Sequence, residues 1–417
     1  MSKNISSINS QINSLANSST AIPTAAYIHL PFCRRRCYYC DFPISVVGDK
    51  GQGTTSMIED YIQALISEIE LSSSPEPLKT IFFGGGTPSL IPPSQLAQIL
   101  QAIARTYGIA NDAEISMEID PGTFDRGRLL GYLNAGVNRF SLGVQTFDEE
   151  LLKVCGRSHT LRDVMQAVEL IKQLNITNFS LDLISGLPHQ TLEHCQASLE
   201  QAIAIAPQHL SCYDLVLEPV TAFGKQYQPG ANPLPDDHTA AEMYRLTQRI
   251  LTNAGYEHYE VSNYAQSGYQ CRHNRVYWSN KPYYAFGMGA ASYVDAQRFS
   301  RPRTRREYYD WLQAGAIIDA PPISATDYLL ETLMLGFRLA EGVKTAEFTP
   351  QNLQKIWSCL QPYHQQGLVE IINSEQKLIE LTEPKLTSDQ STRLRLSDPE
   401  GFLFSNTILA ALFEKLE

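Results

Sequence analysis

Short apolar runs alternate with longer amphipathic segments along the first half of the chain. Six runs rich in β-branched and aromatic residues predict strands. They are Ala26–Leu30, Lys79–Phe83, Ile115–Ile119, Asn138–Gln145, Phe179–Ile184 and Leu210–Leu217. The segments between them repeat apolar residues three or four positions apart, as Ile58, Ile62, Leu65 and Ile69 do, which is typical of a helix with one buried face. The alternation predicts a parallel sheet covered by helices, with functional residues at the carboxyl ends of the strands.

The pattern changes after the sixth run. A helix over Asp237–Asn253 and a strand over Tyr256–Val261 precede a stretch rich in Tyr and Gly that extends to about Val294. A Pro-containing linker near Ala320–Ser324 then opens a final unit of helices and a hairpin. Its predicted elements are the helices Asp327–Leu339 and Pro350–Gln366, a hairpin of Leu368–Ile371 with Leu378–Leu381, and the helix Pro399–Leu412. This combination is typical of a winged-helix-like module.

These patterns divide the chain into four predicted parts. Residues 1–24 are rich in Ser and Asn, contain no acidic or aromatic residue, and are expected to be a disordered tail. Residues 25–220 form the α/β core of six βα units, and residues 221–320 form an α+β extension. Residues 325–417 form the small winged-helix-like domain.

Composition narrows the class of protein. A chain of 417 residues with 43% hydrophobic residues can bury a large core. The net charge of −11 argues against nucleic-acid binding, which depends on neutralising phosphates. Eight unevenly spaced cysteines do not suggest a disulfide framework, and neither a spanning helix nor a secretory signal is recognisable. We therefore expect a soluble, cytoplasmic protein.

Three cysteines lie close together just after the first predicted strand. Cys33, Cys37 and Cys40 form a CxxxCxxC loop. Three thiolates can hold three irons of a cubane iron–sulfur cluster and leave the fourth iron open to a ligand, as catalytic zinc sites leave one position open. The alternative is a zinc site, which would need a fourth protein ligand such as His29 or a distant cysteine.

Polar and glycine-rich segments follow the next predicted strands. Gly84-Gly85-Gly86-Thr87-Pro88 allows close approach of backbone to a ligand, although by itself it is also compatible with an ordinary tight loop. No Lys-Ser or Lys-Thr pair follows it, so it is not a phosphate-binding P-loop. Farther along, Glu118, Gln145, Arg157 and Asp182 occur at or just after strand ends. Carboxylates and amides bind ribose hydroxyls and an Arg pairs with a carboxylate, so together these groups suit a charged nucleoside.

The cysteine loop and the Gly-Gly-Thr-Pro segment together resemble radical S-adenosylmethionine (SAM) proteins. After the tail, the whole chain is similar to the branch that contains the oxygen-independent coproporphyrinogen III oxidases and the HemW-type heme chaperones. The resemblance implies a partial (β/α)6 barrel and a [4Fe–4S] cluster on Cys33, Cys37 and Cys40. It also implies SAM contacts, some of them at a second SAM site, by Tyr27, Tyr39, Gly85, Gly86, Thr87, Glu118, Gln145, Arg157 and Asp182.

Two positions distinguish the members of this branch. The oxidases carry a further cysteine two residues after the third, where this chain has Phe42, and Arg272–Trp278 matches the HNxxYW signature of the chaperones. The resemblance therefore favours a heme chaperone, with heme-accepting apoproteins as partners, over a coproporphyrinogen III oxidase. A nucleic-acid-modifying radical SAM enzyme is a third alternative, which the negative charge disfavours.

Heme transfer requires a reversible site with an iron ligand and an aromatic wall. The stretch from residue 271 to residue 293 supplies His273, and Cys271 or Met288 as substitutes, among several aromatic residues. The other role for His273 is to hydrogen-bond and orient the neighbouring loop. Transient membrane contact is compatible with heme delivery, and the oligomeric state is not predicted.

Overall fold

The computed structural model describes residues 21–48, 52–379 and 391–416. Most of the predicted tail, residues 1–20, lies outside the described residues. The strands β1 to β16 are Ala25–Leu30, Phe32–Cys33, Ser45–Val46, Leu78–Gly85, Ile109–Ile119, Arg139–Gln145, Phe179–Ser185, His209–Asp214, Glu257–Glu260, Asn263–Ala265, Tyr284–Phe286, Ala291–Val294, Gln297–Ser300, Val343–Lys344, Val369–Ile372 and Arg393–Leu396.

The α-helices, numbered α1 to α14 within the described residues, alternate with the strands in the first half of the chain. They are Gln52–Ile69, Pro93–Thr106, Arg126–Ala135, Glu149–Val154, Leu161–Gln173, Leu192–Ile205, Ala222–Gln226, Asp237–Asn253, Arg272–Trp278, Arg305–Gln313, Ala325–Gly336, Pro350–Gln365, Glu400–Leu403 and Ser405–Leu416. No helix within the described ranges combines the length and the apolar character needed to cross a lipid bilayer.

The main sheet has nine strands in the order β11-β1-β4-β5-β6-β7-β8-β10-β9. The six strands β1, β4, β5, β6, β7 and β8 are parallel and correspond to the six predicted runs. The predicted parallel sheet with covering helices, a partial barrel, is therefore confirmed. The observed strand ends differ by a few residues, and the sixth strand stops at Asp214 instead of Leu217.

The two faces of the parallel strands differ in polarity. In β5, the alternate residues Ala113, Ile115, Met117 and Ile119 join the core that packs against the helices. Because neighbouring side chains of a strand point to opposite faces, the residues between them face the barrel interior. Those residues are Glu114, Ser116 and Glu118. The interior of this barrel is therefore lined by polar groups that can hydrogen-bond.

Residues from the predicted extension complete both edges of the sheet. The strand predicted over Tyr256–Val261 is β9, which pairs with β10, and β10 runs antiparallel to β8. At the other edge β11 is parallel to β1, with Ile28 opposite Phe286. Sequence reasoning treated this region as an addition to the core, because short strands of three or four residues give little periodic signal.

The C-terminal part has a second core and a three-stranded antiparallel sheet in the order β14-β16-β15. Within the described residues the predicted hairpin is seen as an antiparallel bridge of Leu378 to Ile372 and a hydrogen bond from the Ile379 amide to the Ile371 carbonyl at 2.8 Å, while residues 380–381 lie outside the described residues. β15 is also antiparallel to β16, a strand that sequence reasoning missed. In β16, Leu394 and Leu396 are buried and alternate with arginines. The predicted terminal helix is split at Phe404.

Candidate cluster and cofactor site

Backbone hydrogen bonds hold the cysteine loop against the carboxyl ends of the first strands. The amides of Ser45 and Val47 donate to the carbonyls of Pro31 at 2.7 Å and Cys33 at 2.9 Å, which forms the short β2–β3 ladder. The Tyr38 amide donates to the Cys155 carbonyl at 3.1 Å. These bonds are independent of any metal, so the loop is positioned by protein groups alone.

The thiols of this loop receive donors from neighbouring loops. The Thr87 hydroxyl donates to Cys33 Sγ at 3.7 Å, and Arg157 Nη1 donates to Cys37 Sγ at 3.5 Å. Burial raises the pKa of the Cys33 thiol to about 12 and also raises the pKa of Cys40. Metal ligation requires the thiolate form of these cysteines. Because burial disfavours the thiolate, a bound metal cation would be needed to make deprotonation of Cys33 and Cys40 favourable.

His29 is not available as a fourth metal ligand. It is 2% exposed, its Nε2 is paired with the Pro43 carbonyl at 2.8 Å, and its Nδ1 is 3.1 Å from the Tyr27 hydroxyl. Burial lowers the pKa of His29 to about 4. Among the described residues, no three or more His, Cys, Asp or Glu side chains are arranged to hold a single metal ion. Thiolates that each ligate a different iron of a cubane need not converge in this way, so the loop suits a cluster better than zinc.

The glycine run lets the strand end pack directly on the cysteine loop. The Gly86 amide donates to the Leu30 carbonyl at 2.9 Å, and the Thr87 amide donates to the Phe32 carbonyl at 2.7 Å. A Cβ atom at Gly86 would lie 2.7 Å from the Phe32 carbonyl oxygen. Gly85 has φ of +118°, and a Cβ atom there would lie 2.5 Å from the His29 ring. Both positions therefore require glycine for packing, whatever ligand binds nearby.

A cavity of ≈480 Å³ opens at the carboxyl ends of the parallel strands. It brings together eleven of the thirteen predicted site residues. They are Cys33, Cys37, Tyr39, Cys40, Gly85, Gly86, Thr87, Glu118, Gln145, Arg157 and Asp182. Tyr27 does not line the cavity, because its ring stacks on Phe82 behind the glycine run and its hydroxyl meets His29.

Six acidic residues of the described ranges line this cavity, and three of them, in or just after β5 and β7, make hydrogen bonds there. Glu118 accepts the Gly85 amide at 3.1 Å, and Asp182 accepts the Ser141 hydroxyl at 2.9 Å. The third is Asp120, which accepts the Thr87 hydroxyl at 3.3 Å. Burial, followed by the charges of Asp182 and Asp120, raises the pKa of Glu118 to about 8, and burial raises the pKa of Asp182. Such a site favours a ligand with a positive charge, which would offset the mutual repulsion of the carboxylates.

One guanidinium is buried among these acids. Arg157 Nη2 donates to Asp120 Oδ1 at 2.6 Å, while its Nε is buried and has no partner among the described residues. Gln145, with φ of 68°, is left-handed although it is not glycine, and a Cβ at Gly143 would lie 2.8 Å from its side-chain nitrogen. Strained non-glycine backbone at a strand end is a feature of functional sites. Because Arg157 also lines the cavity, its guanidinium places a positive charge beside any anionic ligand group.

His273 lies at the opposite end of the barrel from this cavity. It is fully buried, with Nδ1 2.8 Å from the Thr80 hydroxyl and Nε2 2.7 Å from the Tyr277 hydroxyl. Thr80 precedes Gly85 by five residues in β4, a separation of about 17 Å. Burial lowers the pKa of His273 to about 3. Both ring nitrogens are engaged, one by β4 and one within its own helix, so this arrangement favours the orienting role of His273 over heme ligation, which stays a prediction.

Sequence reasoning missed several residues of the cavity. Asp120 was passed over, although it follows Glu118 at the same strand end. Ser141 and Tyr213 also line the cavity, as do the exposed side chains of Phe42 and Val216 at 57% and 64% exposure. The alternation within strands could have identified Ser141, but Val216 lies in an irregular segment after β8 and gives no periodic signal.

Comparison with known proteins agrees with the geometry of the site. Residues 27–202 match the Radical SAM superfamily, and residues 323–378 match the HemN C-terminal domain. The chain is 49% identical over 404 residues to a protein of Synechocystis sp. named heme chaperone HemW, covering 95% of this chain and 98% of that relative. The chain belongs to the HemW family of radical SAM proteins.

Further similarities agree with this family assignment. Proteins of the same name from Escherichia coli and Bacillus subtilis are 39% and 34% identical, covering 78% and 88% of this chain and 85% and 97% of each relative. The solved structure of coproporphyrinogen III oxidase (HemN) from Escherichia coli superposes with a TM-score of 0.77 at 19% identity, covering 96% of this chain and 92% of that one. At that identity the likeness shows the fold alone.

Membership of the radical SAM superfamily implies a [4Fe–4S] cluster and SAM, and the residues present fit both. The three cysteines share one loop at the cavity wall, with hydrogen-bond donors aimed at two of the sulfurs. SAM carries a sulfonium and an ammonium group besides one carboxylate. The acidic cavity suits the two cationic groups, and the guanidinium of Arg157 in the cavity wall suits the carboxylate.

Proposed function

We propose that this protein is a heme chaperone, which binds heme and delivers it to acceptor apoproteins, with a [4Fe–4S] cluster and SAM as cofactors. The observation that carries the proposal is the identity of 49% over 95% of the chain to a relative named heme chaperone HemW. Relatives with that name in Escherichia coli and Bacillus subtilis add to this support. Heme is the cargo in this proposal, and the heme acceptors are the protein partners.

In the proposed cofactor site, Cys33, Cys37 and Cys40 ligate the cluster. When bound, the cluster and SAM supply an electron-transfer centre and an activated sulfonium. Glu118 and Asp182 bind the ribose hydroxyls, in keeping with their positions on β5 and β7, the two strands that flank β6. Other cavity residues contribute the remaining contacts, as the family resemblance implies. They are Tyr39, Gly85, Gly86, Thr87, Gln145 and Arg157.

Phe42 supports a chaperone over an oxidase. At this position the oxidases carry a cysteine, whereas here an exposed aromatic ring lies at the cavity wall. A ring has no thiol chemistry and provides only an apolar contact surface. The coproporphyrinogen III oxidase remains the alternative to be tested, because the overall fold is shared with it.

The test is anaerobic reconstitution of the full chain with iron and sulfide, followed by two parallel assays. Heme binding is measured by absorption spectroscopy and heme transfer by the gain of heme in an apo-hemoprotein. Conversion of coproporphyrinogen III is measured in the presence of SAM and a reductant. We expect stoichiometric heme binding and transfer without porphyrinogen turnover. Turnover to protoporphyrinogen would make the protein an oxidase, and absence of heme binding would reject the chaperone.

The cluster ligands are tested in the same assays. The triple variant Cys33→Ser, Cys37→Ser, Cys40→Ser is expected to lose bound iron and sulfide, with loss of SAM binding. The matched control is Cys359→Ser, a partly buried cysteine in the C-terminal part that is remote in sequence from the loop. Full iron content in the triple variant would reject these ligands.

A further inference from the structure

A second, larger cavity lies at the opposite end of the barrel from the cysteine loop. This groove has a volume of ≈850 Å³, against ≈480 Å³ for the cluster cavity, and lies within the range of about 300–1,000 Å³ typical of ligand sites. Lys79 and Thr80, at the amino end of β4, form one wall. The HNxxYW segment and the first two long helices of the C-terminal part, α11 and α12, form the others.

The HNxxYW helix α9 has two faces with different partners. His273 and Tyr277 face the barrel interior, where His273 meets Thr80. Glu114 accepts the His273 amide at 3.0 Å and the Arg272 amide at 3.1 Å, so it caps the helix from β5. With one face fixed in this way, the other presents Arg272 and Val276 to the groove. His273 thus positions a wall of the groove and does not itself line it.

The groove combines apolar walls with cations. Its apolar lining includes Val276, Pro282, Leu329 and Phe348, and Tyr328 adds an aromatic ring with a hydroxyl that can ligate heme iron. Among the described residues, four cations line it against a single acid, Glu347, although the chain as a whole carries a net charge of −11. The cations are Lys79, Arg272, Lys281 and Lys355. The ammonium groups of the three lysines make no hydrogen bond or ion pair with other residues in the part of the chain that the structure describes.

We infer that heme binds in this groove, with its macrocycle against the apolar walls and its propionates toward Lys79, Lys281 and Lys355. This inference rests on the proposed chaperone function and specifies the site of the cargo. Heme is a flat apolar molecule with two carboxylates at one edge, which matches an apolar groove with unpaired cations at its rim. The cluster cavity offers the opposite charge, since Glu118, Asp120 and Asp182 would repel propionates.

Heme titrations of the full chain under anaerobic conditions test the groove. The charge variant is Lys79→Glu with Lys281→Glu, and its control is Lys172→Glu with Lys377→Glu, which changes the net charge equally at exposed positions elsewhere. A second variant, Ala325→Trp, fills the groove from an exposed position, with Ala325→Ser as its control. We expect both groove variants to raise the Kd for heme by about tenfold or more. The glutamates would repel the propionates, and the tryptophan would occupy space that the macrocycle needs.

Iron content and SAM binding verify that each variant is folded, because the cofactor cavity is at the other end of the barrel. The triple cysteine variant is expected to bind heme with the Kd of the unaltered chain. Equal heme affinity in the groove variants and their controls would overturn the assignment of the heme site to this groove. It would leave the proposed chaperone function intact. Loss of heme binding in the cysteine variant alone would also overturn it. No heme binding by the unaltered chain would instead reject the proposed function itself.

Discussion

Two adjacent glycines, Gly85 and Gly86, determine how closely the carboxyl end of β4 approaches the cysteine loop. Backbone atoms of Pro31 and Phe32 occupy the space that a Gly86 side chain would need. Backbone cannot rotate away as a flexible side chain can, so even a methyl group must displace the loop. The position of the cluster ligands therefore depends on a residue that ligates nothing.

Gly86→Ala is expected to lower the free energy of unfolding by about 1–3 kcal/mol, as overpacking of a close contact does. It should also reduce the iron content after reconstitution, because the loop that carries Cys33 is displaced. Urea unfolding and iron analysis are the measurements. Gly127→Ala, in helix α3, is the control, because a Cβ there would lie 3.4 Å from Asp125 Oδ1 and alanine has the higher helix propensity. Unchanged iron content in Gly86→Ala would contradict the proposed packing role.

Glu118 makes stability depend on pH. Its ordinary pKa of 4.5 is raised to about 8 in the folded chain by burial and by the neighbouring acids. The folded state binds this proton more tightly than the unfolded state, so the stabilisation is fully present below the ordinary pKa and is lost as pH rises through about 8. In the protein without cofactors, stability should fall with rising pH in this window by up to about 1.4 kcal/mol per pH unit.

Glu118→Gln removes this titration and should make the fall in the urea midpoint between about pH 5 and about pH 8 less steep. Glu260, whose pKa burial also raises to about 8, keeps its own contribution. Glu59→Gln, at an exposed position of helix α1, is the matched control and should retain the slope. An unchanged slope in Glu118→Gln would mean that other groups set the pH dependence.

At the scale of elements, the short helix α9 is held by a carboxylate from a different part of the chain. Glu114 of β5 accepts two backbone amides of α9 and the Cys271 thiol, so a seven-residue helix starts at a buried, satisfied amino end. Such a helix would be marginal by itself. The position of α9, at the end of the barrel opposite the cysteine loop, is therefore set by Glu114 of β5 and by the contact of His273 with Thr80 of β4.

Glu114→Ala is expected to destabilise the protein by about 1–3 kcal/mol, because it leaves buried amide donors without partners. SAM binding should be unaffected, since the cofactor cavity is at the other end of the barrel, whereas heme affinity should fall if α9 forms a wall of the groove. Thermal unfolding and the two titrations are the measurements. Asp112→Ala, at a side chain 82% exposed that also contacts Arg272, should change little. Equal stability of the two variants would refute the capping role.

At the scale of the whole molecule, polar contacts fix the C-terminal part on the barrel. Arg245 of α8 donates to both oxygens of Glu400 at 2.7 and 2.8 Å, and the Val261 amide donates to the Arg338 carbonyl at 2.9 Å. Tyr244 of α8 also packs into the C-terminal core. The heme groove is bounded by both parts, so its shape depends on this junction.

The Arg245–Glu400 pair is about a third exposed, so its coupling should be modest. A double-mutant cycle of Arg245→Ala and Glu400→Ala is expected to give about 0.2–1 kcal/mol in urea unfolding, falling with added salt. The pair Lys153–Glu150, within one helix and more exposed, provides a comparison that should couple more weakly. A coupling of zero would mean that this ion pair does not stabilise the junction, which would then depend on the Val261–Arg338 hydrogen bond and the apolar contacts.

The sequence by itself determined the six parallel strands, the order of the segments at their carboxyl ends and the cysteine loop. These features depend on local periodicity and on residue types close together in the chain, such as Cys33 to Cys40. The tertiary structure decided what depends on long-range pairing. It paired Val369–Ile372 with Arg393–Leu396, placed Glu257–Glu260 and Tyr284–Phe286 at the sheet edges, and buried His273 far from the cysteines. Contacts between distant segments leave no periodic trace, so only the folded chain reveals them.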